Sequence, residues 1–170
     1  RLFMLSDSPP ERDLEWTDAG IDGAWRYLGR LYRLIGENAV ILKNSKTATQ
    51  NVSDVPKAGE ELRKQVHKTI DAVTKDIEQF HFNKAIARIR ELTNAMEKLV
   101  SKIDPSSPIP NTSSNAFLEA AETVVHLIGP LLPHLAEELW AMLGHTDLIA
   151  MRAWPVAERG PPSRRRVALL

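Results

Sequence analysis

Apolar residues recur at steps of three and four along most of this chain, and polar punctuation separates the runs. Ile21, Ala24, Trp25, Leu28, Leu31, Tyr32 and Ile35 form the first stripe, the spacing of one buried helix face. Thr17 or Asp18 stands before it as an N-cap, and the helix is predicted to run to about Lys43. Residues 44–59 are polar, hold Pro56 and Gly59, and read as a loop. Leu62, Val66, Ile70, Val73 and Ile77 make a second stripe. Phe82, Ile86, Ile89, Leu92, Met96, Leu99 and Ile103 make a third. Only Gln79, Phe80 and His81 separate these two, which implies an antiparallel helix hairpin.

Residues 104–114 are rich in Pro and Ser and read as a mobile linker. Phe117, Ala121, Val124 and Ile128 place a fourth helix, interrupted at Gly129-Pro130. Pro133 suits the first turn of a fifth helix ending near Gly144. No segment alternates at period two over strand length, so the predicted fold is all-α, an antiparallel bundle of about five helices. The start differs in kind. Arg1-Leu2-Phe3-Met4-Leu5 reads as the tail of an apolar helix, broken at once by Ser6-Asp7-Ser8-Pro9-Pro10. A folding unit rarely begins inside a helix, so the chain is expected to be a piece of a larger protein. Residues 1–16 are then a connector, 17–156 the bundle, and 157–170 a tail without amphipathic period.

Composition narrows the chemistry. Of 170 residues, 22 are Lys or Arg and 22 Asp or Glu, so no global field draws a polyanion, and nucleic-acid binding would need a local stripe. Cysteine is absent, which removes disulfides and thiolate metal sites and fits a cytoplasmic protein. The longest uncharged apolar run, from Thr123 to Ala136, is broken by Pro130 and Pro133. It falls short of the roughly 20 residues that a membrane span requires.

Histidine is the first suspect for catalysis or metal, but His67, His81, His126, His134 and His145 are scattered over the segments. A di-iron bundle needs two Glu-x-x-His units with two further glutamates, and this chain lacks such a pair of units. No G-x-S-x-G motif and no glycine-rich phosphate loop is present. The basic residues carry more information. Arg26, Arg30 and Arg33 recur on the first helix, with Lys43 and Lys46 beyond. Arg63, Lys64, Lys68 and Lys75 line the second helix, and Arg88 and Arg90 the third. Such stripes can track phosphates, or they can be solvated faces with i,i+4 pairs such as Asp22–Arg26 and Asp71–Lys75.

Longer strings carry a resemblance. SDSPPERDLEW, GAWRYLGRLYRLI, HKTI, FNKAIARIRELTNA, and LLPHLAEELW followed by MRAWP occur in order from Arg1 to about Val156. They resemble the helical anticodon-binding domain of the leucyl-tRNA synthetase family, in the class I synthetases. The resemblance implies an ATP- and Mg-dependent ligase that charges leucine onto its tRNA. The HIGH and KMSKS signatures of that chemistry are absent, so no catalytic residue and no cofactor is assigned to this stretch. It implies a docking role instead, with tRNA and the remainder of the synthetase as partners, a monomeric state and no membrane.

The resemblance assigns residues as follows. Arg26, Arg30, Arg33, Lys43, Lys46, Arg63, Lys64 and Lys68 are candidates for tRNA contact. Trp16, with Leu14, wedges the connector against the bundle; Trp25 and Phe82 pack; Leu135, Leu139 and Trp140 are core, with Glu137 and Glu138 on the outer face. Trp154 folds back onto the bundle. From Glu158 on, the chain matches no part of the family, and residues 157–170 are read as disordered or non-native. The competing reading is a stand-alone helical module that grips a protein through an apolar groove.

Overall fold

The computed structural model of the chain describes residues 1–44, 56–102 and 111–158, with the side chains of 39–44, 56, 111 and 112 outside that description. The elements are α1 (Leu2–Ser6), α2 (Asp18–Asn44), α3 (Pro56–Glu78), α4 (Phe82–Val100), α5 (Asn111–Ile128), α6 (Pro133–Met142) and a 3-10 turn at Ile149–Met151. No strand occurs among the described residues, as the periodicity predicts. None of these helices is long and apolar enough to cross a membrane.

The centre is α3, α4 and α5, each packed on the other two. Val66, Val73, Ile89, Leu92, Met96, Phe117, Val124 and Val125 are fully buried between them. Helix α2 packs on α5 and α6, not extensively on its sequence neighbour α3. Helix α1 lies against α2 and α4, with Phe3 buried and its ring against Gly20, where a Cβ would stand 2.4 Å from a Phe3 carbon. Gly20 is therefore the residue that lets α1 approach.

Thr17 is the N-cap of α2, its hydroxyl accepting from the Gly20 amide at 3.3 Å. The buried stripe of α2 is Ala24, Tyr27, Leu31, Leu34 and Ile35, with Ile21 and Leu28 partly buried. This corrects the sequence-derived stripe, because Trp25 and Tyr32 are exposed, 73% and 41%. A 3.6-residue period tolerates either phase over two turns; the Tyr27–Leu34 pair decides it. Two boundaries also move. Pro56–Gly59 belong to α3, with Pro56 opening the helix. Residues 111–114 open α5, and Ser113 and Ser114 are buried in it. Ile103, the last position of the third stripe, lies outside the described residues.

The α3–α4 hairpin closes through Phe80 in the left-handed region, φ 58°. The His81 amide donates to the Asp76 carbonyl at 2.7 Å, and the Phe80 amide to the Ile77 carbonyl at 3.0 Å. Helix α6 ends the same way, with Gly144 at φ 94°, His145 donating to the Trp140 carbonyl and Gly144 to that of Ala141. After the 3-10 turn the chain folds back. The Trp154 indole donates to Thr74 Oγ1 at 2.8 Å, and the Glu158 amide to His67 Nδ1 at 3.3 Å. Residues 154–158 thus lie along α3.

A candidate nucleic-acid interface

The basic residues singled out by sequence separate into paired and unpaired groups. Arg30 binds Asn94 Oδ1 at 2.6 Å and the Glu97 carboxylate at 3.0 Å, tying α2 to α4. Arg63 binds Glu119 at 2.7 Å, and His67 faces the second oxygen of the same carboxylate at 3.5 Å, which ties α3 to α5. These two arginines are structural cross-links. Arg88 is likewise paired with the buried carboxylate of Asp76, and Lys75 with Asp71 at 2.7 Å.

Arg26, Arg33, Lys64 and Lys68 are exposed. Arg26 donates only to the carbonyl of Asp22 at 3.4 Å, and none of the four has an ion-pair partner among the described residues. They form two sets, on α2 and on α3, because those helices do not pack extensively on each other. The side chain of Lys43, and Lys46 altogether, lie outside the described residues.

The predicted packing residues divide as well. Leu139 and Trp140 are buried, and Leu135, Phe82, Leu14 and Trp154 pack against the core while partly exposed. Trp16 is 67% exposed but sets its ring edge-on to Phe3 at 5.6 Å. Trp25 does not pack. Glu137, expected on the outer face, accepts from the amides of Ile149 and Ala150 at 3.0 and 3.2 Å and so caps the 3-10 turn.

Trp140 organises the end of the bundle. His145 stacks on it at 3.5 Å with an interplanar angle of 7°, and His126 meets it edge-on at 4.9 Å. His145 Nε2 lies 3.0 Å from Glu122, fixing this loop to α5. Arg152 reaches over the same ring at 5.9 Å and pairs with Asp147. That guanidinium holds the Asp147 carboxyl below its ordinary value, and Asp147 in turn raises Arg152. At the α2–α4 junction burial raises the Tyr27 phenol above 10.0, opposed by Thr93 and the guanidiniums of Arg90 and Arg30. Arg90 sits over the Tyr27 ring at 4.7 Å.

No group of three or more His, Asp or Glu side chains converges on a metal-sized space among the described residues. A shallow open depression beside the start of α6 is lined by Pro133, His134, Glu137 and Glu138. Its two carboxylates disfavour a phosphate there. What the surface offers is unpaired guanidinium and ammonium groups and exposed aromatic rings, groups suited to contact with a polyanion.

Comparison with known proteins gives the same direction. A family profile described as the anticodon-binding domain of tRNA ligase matches residues 60–168, so the match extends past Glu158, where the sequence strings showed no correspondence with the family. The chain is 46% identical over 159 residues to the leucine–tRNA ligase of Paramagnetospirillum magneticum, covering 93% of this chain and 17% of that protein. It is 47% identical over 155 residues to the corresponding enzyme of Mesorhizobium japonicum, covering 91% of this chain and 17% of that one. Among solved structures, it is similar to the Agrobacterium radiobacter LeuRS in a ternary complex with tRNA and LeuAMS. That similarity has a TM-score of 0.72 and 29% identity over 92% of this chain and 19% of the other. The chain thus spans less than a fifth of the proteins it matches.

Proposed function

We propose a tRNA-docking role for this chain, which belongs to the anticodon-binding domain family of tRNA ligases. From that membership, and from its similarity to leucine–tRNA ligases, we take the bundle to be the tRNA-holding part of an ATP- and Mg-using leucine ligase. The reaction itself belongs to other parts of such an enzyme. A monomeric, cytoplasmic enzyme, with the bundle seated against the remaining domains, completes this reading.

The observation that carries the reading is the division of the basic residues. Arg30 and Arg63 are consumed by carboxylates on neighbouring helices, whereas exposed Arg26, Arg33, Lys64 and Lys68 keep their charge for an outside partner. Contacts of this kind go to phosphates; they set register and affinity and carry little sequence information. The reading therefore predicts docking with weak discrimination between tRNAs.

The test is binding of the chain to leucine tRNA and to an unrelated tRNA over a salt series. Salt-sensitive binding to both is the expected result. Replacing Arg26 and Arg33 together by alanine should flatten the slope of log K against log salt by roughly 0.9 for each duplex phosphate left without its cation. If neither that variant nor Lys64→Ala with Lys68→Ala changes slope or affinity, these residues do not carry docking.

A further inference from the structure

After the 3-10 turn the chain is strapped onto α3 at two points, and the two differ in chemistry. The first is fixed. The Trp154 indole donates to Thr74 Oγ1 at 2.8 Å, and the same hydroxyl donates to the Ile70 carbonyl at 2.7 Å. Neither an indole nor a threonine hydroxyl changes its charge near neutral pH. Trp154 and Ala157 also pack against the core while partly exposed. The second point is the backbone amide of Glu158, which donates to His67 Nδ1 at 3.3 Å. Imidazole is the side chain that ordinarily changes charge between pH 5 and 8. The side chain of His67 is 21% exposed, so solvent protons reach it.

The two ring nitrogens have opposite duties. A backbone amide can only donate, so Nδ1 must be bare to receive it. The proton of the neutral ring then sits on Nε2, which faces Glu119 Oε1 at 3.5 Å. Arg63 holds the other oxygen of that carboxylate at 2.7 Å, so Glu119 is pinned and the ring is oriented between α5 and the strap. A second proton can go only to Nδ1. It leaves Nε2 against Glu119 and adds opposite charge to that pair. At Nδ1 it sets donor against donor, and an imidazolium has no acceptor to offer instead. Lys64, Lys68 and Asp71 flank His67 on α3, and Glu158 stands on the strap. With Glu119 and Arg63 they place charges of both signs around the ring, so the amide contact decides what the proton does.

We propose that His67 is a proton-operated latch: neutral, it holds the far end of residues 154–158 on α3; protonated, it lets that end go while the Trp154 anchor stays. With the latch closed, the strap runs along α3 from Thr74 back to His67, seven positions away and about 10 Å along the helix axis. With it open, Val156, Ala157 and Glu158 hang from Trp154. The device goes beyond the docking reading and does not depend on it.

The experiment follows exchange of the Glu158 amide hydrogen with water by NMR, in the 170-residue chain at pH 8 and pH 5. Each rate is divided by that of a free amide at the same pH. Loss of one hydrogen bond corresponds to a fall in protection of roughly fivefold, and that fall is expected between pH 8 and pH 5. The Trp154 indole hydrogen should stay protected at both, which shows that the fold and the fixed anchor are unchanged. His67→Asn places a carbonyl oxygen that takes up no proton near the position of Nδ1, and its protection at pH 5 should match that at pH 8. His67→Phe removes the acceptor, and its Glu158 amide should be unprotected at both. The latch is refuted if wild-type protection is equal at the two pH values, or if His67→Asn shows the same fall as the wild type. Either refutation leaves tRNA docking standing.

Discussion

Three arginines spaced along α2 serve different ends. Arg30 joins two helices through Asn94 and Glu97, while Arg26 and Arg33 face outward. The Arg30 pair is about half exposed, 45% and 34%, so solvent screens it and its worth is modest. Arg30→Ala should lower unfolding stability by about 1 kcal/mol, and Arg33→Ala should stay within about 0.5 kcal/mol of wild type. Urea midpoints of the two variants check this; equal midpoints would show that the Arg30 cross-link is not structural. The sequence makes all three arginines alike, because their neighbours along the helix are alike. What separates them is a partner 64 residues away, and no local pattern reveals which carboxylate lies across an interface. For the same reason Glu119 and Asp76, the partners of Arg63 and Arg88, cannot be picked out until the helices are placed. Trp25 escapes the sequence pattern because its spacing from Ile21 and Leu28 fits a buried stripe as well as an exposed flank.

Helices α3 and α6 end with the same hydrogen-bond pattern and different residues. At α6 the left-handed position is Gly144, and at α3 it is Phe80. Glycine adopts this conformation freely, while a Cβ there crowds the backbone. Phe80→Gly should therefore change stability by less than about 0.5 kcal/mol, because relief of the left-handed conformation is offset by loss of the edge-on contact with Phe82 at 5.9 Å and by the greater freedom of glycine in the unfolded chain. Gly144→Ala should lower it by about 1 kcal/mol. Thermal melts of the pair test the assignment, and a loss at Phe80→Gly as large as that at Gly144→Ala would contradict it. Helix existence was legible from period alone, and the hairpin from its short connection. The starts were not: Pro56–Gly59 and residues 111–114 have loop composition, yet they form first turns, where proline and small polar residues are at home.

Across the whole molecule, α2 is held by α5, α6 and the side chains of α4, not by the helix that follows it. Tyr27 is buried at that junction, and burial keeps its phenol protonated beyond the ordinary 10.0. The unfolded chain ionises first as pH rises. Stability should be full below about pH 10 and fall as pH rises through the raised folded-state value. Tyr27→Phe should flatten that alkaline decline. Urea unfolding across this range measures it, and an identical decline in both proteins would place its cause elsewhere. The bundle as a class was readable from the sequence, whereas this arrangement was not. Apolar stripes state that a helix is covered and leave open by which neighbour.

That placement of α2 also matters on the ribosome. Its apolar face is synthesised well before two of the helices that cover it, α5 and α6, Pro133 standing 89 positions beyond Asn44. At roughly 5–20 residues per second, synthesis takes about 4–18 s to make up that interval. For those seconds Leu31, Leu34 and Ile35 lack the full cover that α5 and α6 provide. During that interval the face is open to a chaperone.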